Sequence, residues 1–149
     1  MTKWIKRHKW CLVALIVLAV GIGWFGYRIY KFGESIEDAY MMWWASNMVT
    51  GYMGKHQDQW PRGWEDLREP FEVCCKEVGA RPWPFDKIKD RIEIDWNADP
   101  AVLRKAEMPP DPQKPFIVIW SKRGNTATWS GAEPNRLVLE YLQSKRDKK

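Results

Sequence analysis

At 149 residues and 17.7 kDa the chain is long enough for one domain and too short for two ordinary ones. A net charge of +5 suggests a nucleic-acid ligand, but the distribution of charge argues against it: residues 1–31 carry six basic side chains and no acid, leaving 18 basic against 19 acidic in the rest. The excess brackets one apolar stretch and belongs to a membrane flank.

That stretch runs from Trp10 to Tyr27, 18 residues without a formal charge. As a helix it spans about 27 Å, close to a hydrocarbon core. Trp4 and Trp10 stand at one end, Tyr27 and Tyr30 at the other, where amphipathic rings favour the headgroup region. Lys3, Lys6, Arg7 and Lys9 precede the span, so the positive-inside bias predicts a cytoplasmic N-terminus with the remainder outside. Ala19-Val20-Gly21 offers an alternative reading as a signal-peptidase site, although the apolar run continues past it. Gly21-Ile22-Gly23-Trp24-Phe25-Gly26 matches the dinucleotide fingerprint in letters only, because that motif needs a strand before it and a soluble helix after it. Ala19 and Gly23 form a small-xxx-small pair of the kind that lets membrane helices approach.

After the anchor, residues 39–54 are uncharged, and Ile36, Tyr40, Trp43/Trp44 and Met48/Tyr52 recur every three or four positions. The spacing predicts a core helix continuous with the anchor. Pro61 and Gly63 mark a turn, and residues 64–78 read as a second helix that Pro70 would kink or split and Gly79 would stop. Arg81-Pro82-Trp83-Pro84 reads as a stiff connector. Ile92–Trp96 alternates as a half-buried strand, and Asn97–Pro115, with five prolines, reads as a long ordered loop. Phe116–Trp120 has the pattern of a central strand, Lys122–Asn125 of a hairpin turn and Thr126–Ser130 of a return strand. Pro134 opens a last helix with Leu137, Val138, Tyr141 and Leu142 on one face, a strand over 137–142 being the alternative. The expected fold is α+β: one transmembrane helix continuing into a long helix packed on a small three-stranded antiparallel sheet, with a C-terminal helix. The expected segments are a cytoplasmic basic flank (1–9), the anchor (10–30), an extracytoplasmic tryptophan-rich domain (31–144) and a basic tail (145–149).

The layout resembles the pseudopilins of type II secretion and the minor pilins of type IV pili. The stretch Tyr52…His56…Trp60-Pro61-Arg62-Gly63-Trp64-Glu65-Asp66-Leu67 is similar to the segment that follows the long helix in G-type pseudopilins. The resemblance implies a helix half in the membrane, a small sheet behind it and lateral assembly of subunits. The chain departs from the family at the processing site: Lys9-Trp10-Cys11 stands where a glycine and phenylalanine precede the apolar run, and no acid occurs before Glu34.

Eleven tryptophans raise the question of chemistry. Trp96 and Trp120 lie in expected strands and suit a core. Trp60, Trp64 and Trp83 lie in connectors, where they either pack into the core or form an exposed platform; with Trp43 and Trp44 on the long helix they are the candidate interaction surface, since aromatics are enriched at interfaces. Cys74 and Cys75 are adjacent, diverge on a helix and lack Cys-x-x-Cys spacing, so they read as buried thiols or as an intermolecular bridge. His56 near Asp58 has no nucleophile motif beside it. Glu65/Asp66/Glu69 and Asp95/Asp99 have the spacing of a solvated face as readily as of a glycosidase pair. Asp95-Trp96-Asn97-Ala98-Asp99 begins like a calcium loop but has Pro100 where that loop needs glycine. The sequence thus predicts a non-enzymatic interaction or assembly component without cofactor or metal. Its partners would be the lipid bilayer and another envelope protein or a second copy, with no nucleic acid. A tethered binder of cell-wall glycan or peptide is the alternative.

Overall fold

A computed structural model of the chain describes residues 2–79, 83–106, 116–124 and 133–145, with side chains from Trp10 onward apart from Leu12. Its first element, α1 (Thr2–Lys55), is one helix of 54 residues. The chain divides into two compact units, Met1–Ile36 and Glu37–Lys149.

In the first unit the side chains of residues 13–32 are exposed, Leu18 at 62 % and Trp24 at 62 % among them. Its contacts are local: the Arg28 guanidinium lies 5.5 Å over the Trp24 ring, and Glu34 accepts from Tyr30 Oη at 3.1 Å and pairs with Lys31 at 3.3 Å. Among the described residues this is the one helix long and apolar enough to cross a membrane.

The second unit is built on the C-terminal part of α1. Met41, Trp44, Ala45, Met48, Val49 and Met53 are buried there. The apolar face is rotated from the one expected: Tyr40 is 57 % and Ile36 42 % exposed, while Asp38 points inward. Polar residues are tolerated because they bond back along the helix, Ser46 Oγ and Asn47 Nδ2 both donating to the Trp43 carbonyl at 2.8 Å. Past α1, Gln57 and Asp58 both take left-handed backbone angles, φ 53° and 63°, an uncommon conformation for residues other than glycine. The Asp58 N–H closes this turn on the Met53 carbonyl at 2.9 Å.

The helix expected over 64–78 is split, as Pro70 suggested. A 3₁₀ turn, Trp64–Leu67, leads into α2 (Arg68–Val78), whose first turn places Pro70 where no backbone N–H is required. Gly79, at φ 67°, ends α2. A short helix not expected from sequence follows, α3 (Phe85–Arg91), with Pro84 at its N-cap, Asp86 in its first turn and Lys89 and Arg91 in its last. It runs straight into β1 (Ile92–Ile94). β1 pairs antiparallel with β2 (Ile119–Ser121) in the register Ile92↔Ser121, Ile94↔Ile119. Both strands are shorter than expected. The sheet has two strands among the described residues, and the expected return strand Thr126–Ser130 lies outside them.

Within the expected loop, α4 (Pro100–Leu103) forms behind an Asp99 cap that accepts from Ala101 N–H at 2.8 Å. The last element, α5 (Pro134–Ser144), begins at Pro134 as expected, but buries Leu139 together with Val138 and Leu142. One apolar cluster joins α1, α2, α3, both strands and α5. The edge of β2 facing α5 is closed by a side chain: Asn135 Oδ1 accepts from Val118 and Ile119 N–H at 2.8 Å, and its Nδ2 donates to the Ile119 carbonyl at 3.0 Å.

Candidate functional site

The turn from Gln59 to Leu67 folds against the loop after β1. Trp60 is buried, and its indole N–H donates to the Asp95 carbonyl at 2.8 Å. Asp66 accepts from the Arg62 N–H at 2.7 Å and donates its own N–H to the Gly63 carbonyl at 3.2 Å, which fixes the bend. Trp64 then inserts between Phe85 and Trp96, edge-on to both, with ring centroids 5.9 Å and 5.5 Å away.

Between this turn, Lys89 and Trp96 lies an open groove of about 430 Å³. Trp64 and Trp96 form its floor. Its rim carries Arg62, Glu65, Asp66 and Lys89, with Gly63 between them. Glu65 is shared between Arg68 at 3.3 Å and Lys89 at 3.9 Å, and Asp66 is taken by the turn. The Arg62 guanidinium is exposed and has no partner among the described residues.

The tryptophans expected to form an exposed platform are therefore placed differently. Trp44, Trp60 and Trp64 belong to the core, 4–9 % exposed. Trp43 is half-buried, edge-on to Trp44 with centroids 6.5 Å apart. Trp83 is half-buried, 6.5 Å from the Tyr40 ring, and its indole N–H donates to Glu37 at 2.8 Å. Trp96, assigned from sequence to a strand core, is half-buried and lines the groove beside Trp64. Lys3, Lys6, Arg7 and Lys9 lie in the first turns of α1.

A second cluster is part-buried. Glu37 accepts from Trp83, Lys87 and Arg91; Arg91 also pairs with Asp38 at 2.6 Å, and Asp38 accepts from Ser121 Oγ at 2.8 Å. Asp38 and Arg91 are 1 % and 7 % exposed. The Lys87 ammonium foremost, then Arg91 and Trp83, hold the Glu37 carboxyl down at about 2 against the opposing push of burial. This network bolts α3 and β2 to α1. None of these charges is singled out by the sequence pattern; an acid beside a long uncharged helical segment is the available signal for Asp38.

Other candidates resolve into structure. His56 stacks on Tyr52 at 4.1 Å, whereas Asp58 takes Tyr141 Oη at 2.9 Å and Arg104 at 3.1 Å. Burial, then Asp58, pushes the Tyr141 hydroxyl up to about 12. Asp95 accepts from Asn97 N–H at 3.0 Å in an Asx turn, and Glu69 pairs with Lys55 at 2.9 Å. Cys74 and Cys75 are free thiols, half-buried and buried, and burial pushes Cys74 upward, away from the reactive thiolate. No group of three or more His, Cys, Asp or Glu side chains suited to a metal occurs among the described residues. Comparison with family models, curated proteins and solved structures finds no match to this chain.

Proposed function

We propose that this chain is a single-pass membrane protein, N-terminus in the cytoplasm, whose folded domain binds an envelope partner without catalysing a reaction. The observation that carries the membrane reading is the exposure of the apolar stretch of α1, which only lipid or another apolar surface would relieve. Orientation follows from charge: Lys3, Lys6, Arg7 and Lys9 have no acid near them in sequence, whereas on the other flank Lys31 is paired to Glu34 and Arg28 covers Trp24. The groove supports binding rather than turnover, because Glu65, Asp66 and Asp95 are each engaged in ion pairs or turns. Self-assembly in the manner of a pseudopilin is the narrower form of this reading, with Ala19 and Gly23 as a close-approach face. A tethered glycan binder is the second reading, favoured by the half-buried Trp96 on the groove floor.

The test has two parts. Single cysteines at Thr2 and Lys145, in a chain whose own cysteines are replaced by serine, are labelled with an impermeant maleimide in intact cells. Labelling at 145 alone is expected; labelling at residue 2 alone inverts the topology, and release of the chain by carbonate removes the anchor. A photo-crosslinker at the exposed Tyr40 or Arg62 then reports the partner. One dominant membrane protein or a ladder of self-adducts supports the interaction role, and adducts to wall polymer alone select the glycan reading.

A further inference from the structure

Resting on the interaction role proposed above, we infer that the groove between residues 62–66 and Trp96 holds an extended peptide of the partner that carries a carboxylate beside an apolar side chain. Three features of the groove specify that occupant.

The first is charge. Glu65 is paired with Arg68 and Lys89, Asp66 accepts the Arg62 N–H within the turn, and the Arg62 guanidinium has no ion-pair partner among the described residues. A guanidinium recognises a carboxylate through paired N–H donors. The second is the floor, where the edge-on pair of Trp64 and Trp96 offers an apolar surface in the groove that Arg62 also lines. The third is backbone. Gly63 is fully extended, φ 174° and ψ 179°, its N–H has no partner among the described residues, and a Cβ built there would meet nothing within 4 Å. An extended glycine with clear space beside it lets a second main chain approach and bond to its N–H, as in strand addition. A sugar would use the tryptophans and the cation but has no need of an unpaired main-chain donor at a residue without a side chain.

The experiment uses the full chain in lipid nanodiscs and fluorescent hexapeptide pools. One pool fixes Asp or Glu next to Phe or Leu, a second has Asn or Gln in place of the acid, and a third has Lys. Trigalacturonate is the acidic sugar probe. The acidic pool is expected to bind at least about tenfold more tightly than the amide pool, and Arg62→Gln to remove that margin. Gly63→Ala, which the free domain accommodates, is expected to weaken all binding by blocking main-chain approach, while Arg136→Gln, a cation outside the groove, changes nothing. Equal binding of the three pools, tighter binding of trigalacturonate, or indifference to both Arg62→Gln and Gly63→Ala overturns the inference. If the groove fails while Tyr40 still crosslinks to a membrane protein, the interaction role survives and this site falls. If Tyr40 yields no protein adduct, the role itself falls.

Discussion

The two ends of α1 are similar in apolar content and opposite in fate. From Val13 to Phe32 its side chains stand in the open; from Met41 to Met53 the same kinds of residue are sealed, Met41, Met48, Val49 and Met53 at 0 % exposure. The difference lies in what the rest of the chain supplies. The later segment is flanked by Glu37 and Asp38, which reach Lys87, Arg91 and Ser121, and by Asp58, which reaches Arg104 and Tyr141. Among the described residues the earlier segment has no such hooks, so its apolar surface is left for lipid or a partner. Hydrophobic pattern alone thus assigns a helix without assigning its environment; the polar residues at its margins decide that.

The sharpest way to break the comparison is to cut the hooks. Arg91→Leu takes the guanidinium away from the buried Asp38 carboxylate, and loss of one partner of a buried pair costs about 3–5 kcal/mol. Chemical denaturation followed by tryptophan emission should register that loss, while membrane partitioning of the variant stays unchanged. An Arg91→Lys variant that recovers most of the stability would show that charge, rather than packing, was removed.

Matched truncations come next. Met48→Ala opens a cavity in a sealed site and is expected to cost about 2–5 kcal/mol. Leu18→Ala, at a position 62 % exposed, is expected to leave domain stability within about 0.5 kcal/mol. The reverse dissociation is expected of Leu18→Arg: a charge near the middle of the span opposes insertion by about 2.5–3.5 kcal/mol, so the chain should appear in the carbonate supernatant with its domain intact. Equal loss of domain stability in Leu18→Ala and Met48→Ala would show that the apolar stretch is part of the folded core.

Much of this was legible where signals are local. The long helix, the split two residues before Pro70, the stop at Gly79 and the start at Pro134 all follow from backbone rules that act within a few residues. What escaped was paired at long range. Asp38 meets Ser121 across 83 positions and Glu37 meets Arg91 across 54, and nothing in either neighbourhood marks the partner. Asn135 closes the edge of β2 with a side-chain amide, which no strand pattern announces. α3 is only seven residues long, too short for a helical period to stand out. The groove is half visible in the sequence: Pro61 and Gly63 mark its turn, but a connector tryptophan such as Trp64 suits a core or a surface equally by pattern, and the alternation of Ile92–Trp96 does not mark Trp96 as a groove residue.

The finest test of the contrast is acid. Glu37 has its carboxyl held at about 2, below its ordinary 4.5, by Lys87 first and then Arg91 and Trp83. A depressed folded-state value means that the stabilisation is present above pH 4.5 and drains away as pH falls toward 2, because the unfolded chain takes up the proton first. With the side chain 29 % exposed, solvent screening holds the effect to about 1 kcal/mol. Denaturation midpoints measured between pH 5 and 2 should therefore fall more steeply for the native chain than for Glu37→Gln, whose curve starts lower and is flatter. The span from Trp10 to Tyr27 holds no carboxylate or imidazole, so its membrane partitioning should not change over the same interval. If both slopes coincide, Glu37 is not the hook that separates the two ends of the helix, and the separation rests on Asp38 and Arg91 alone.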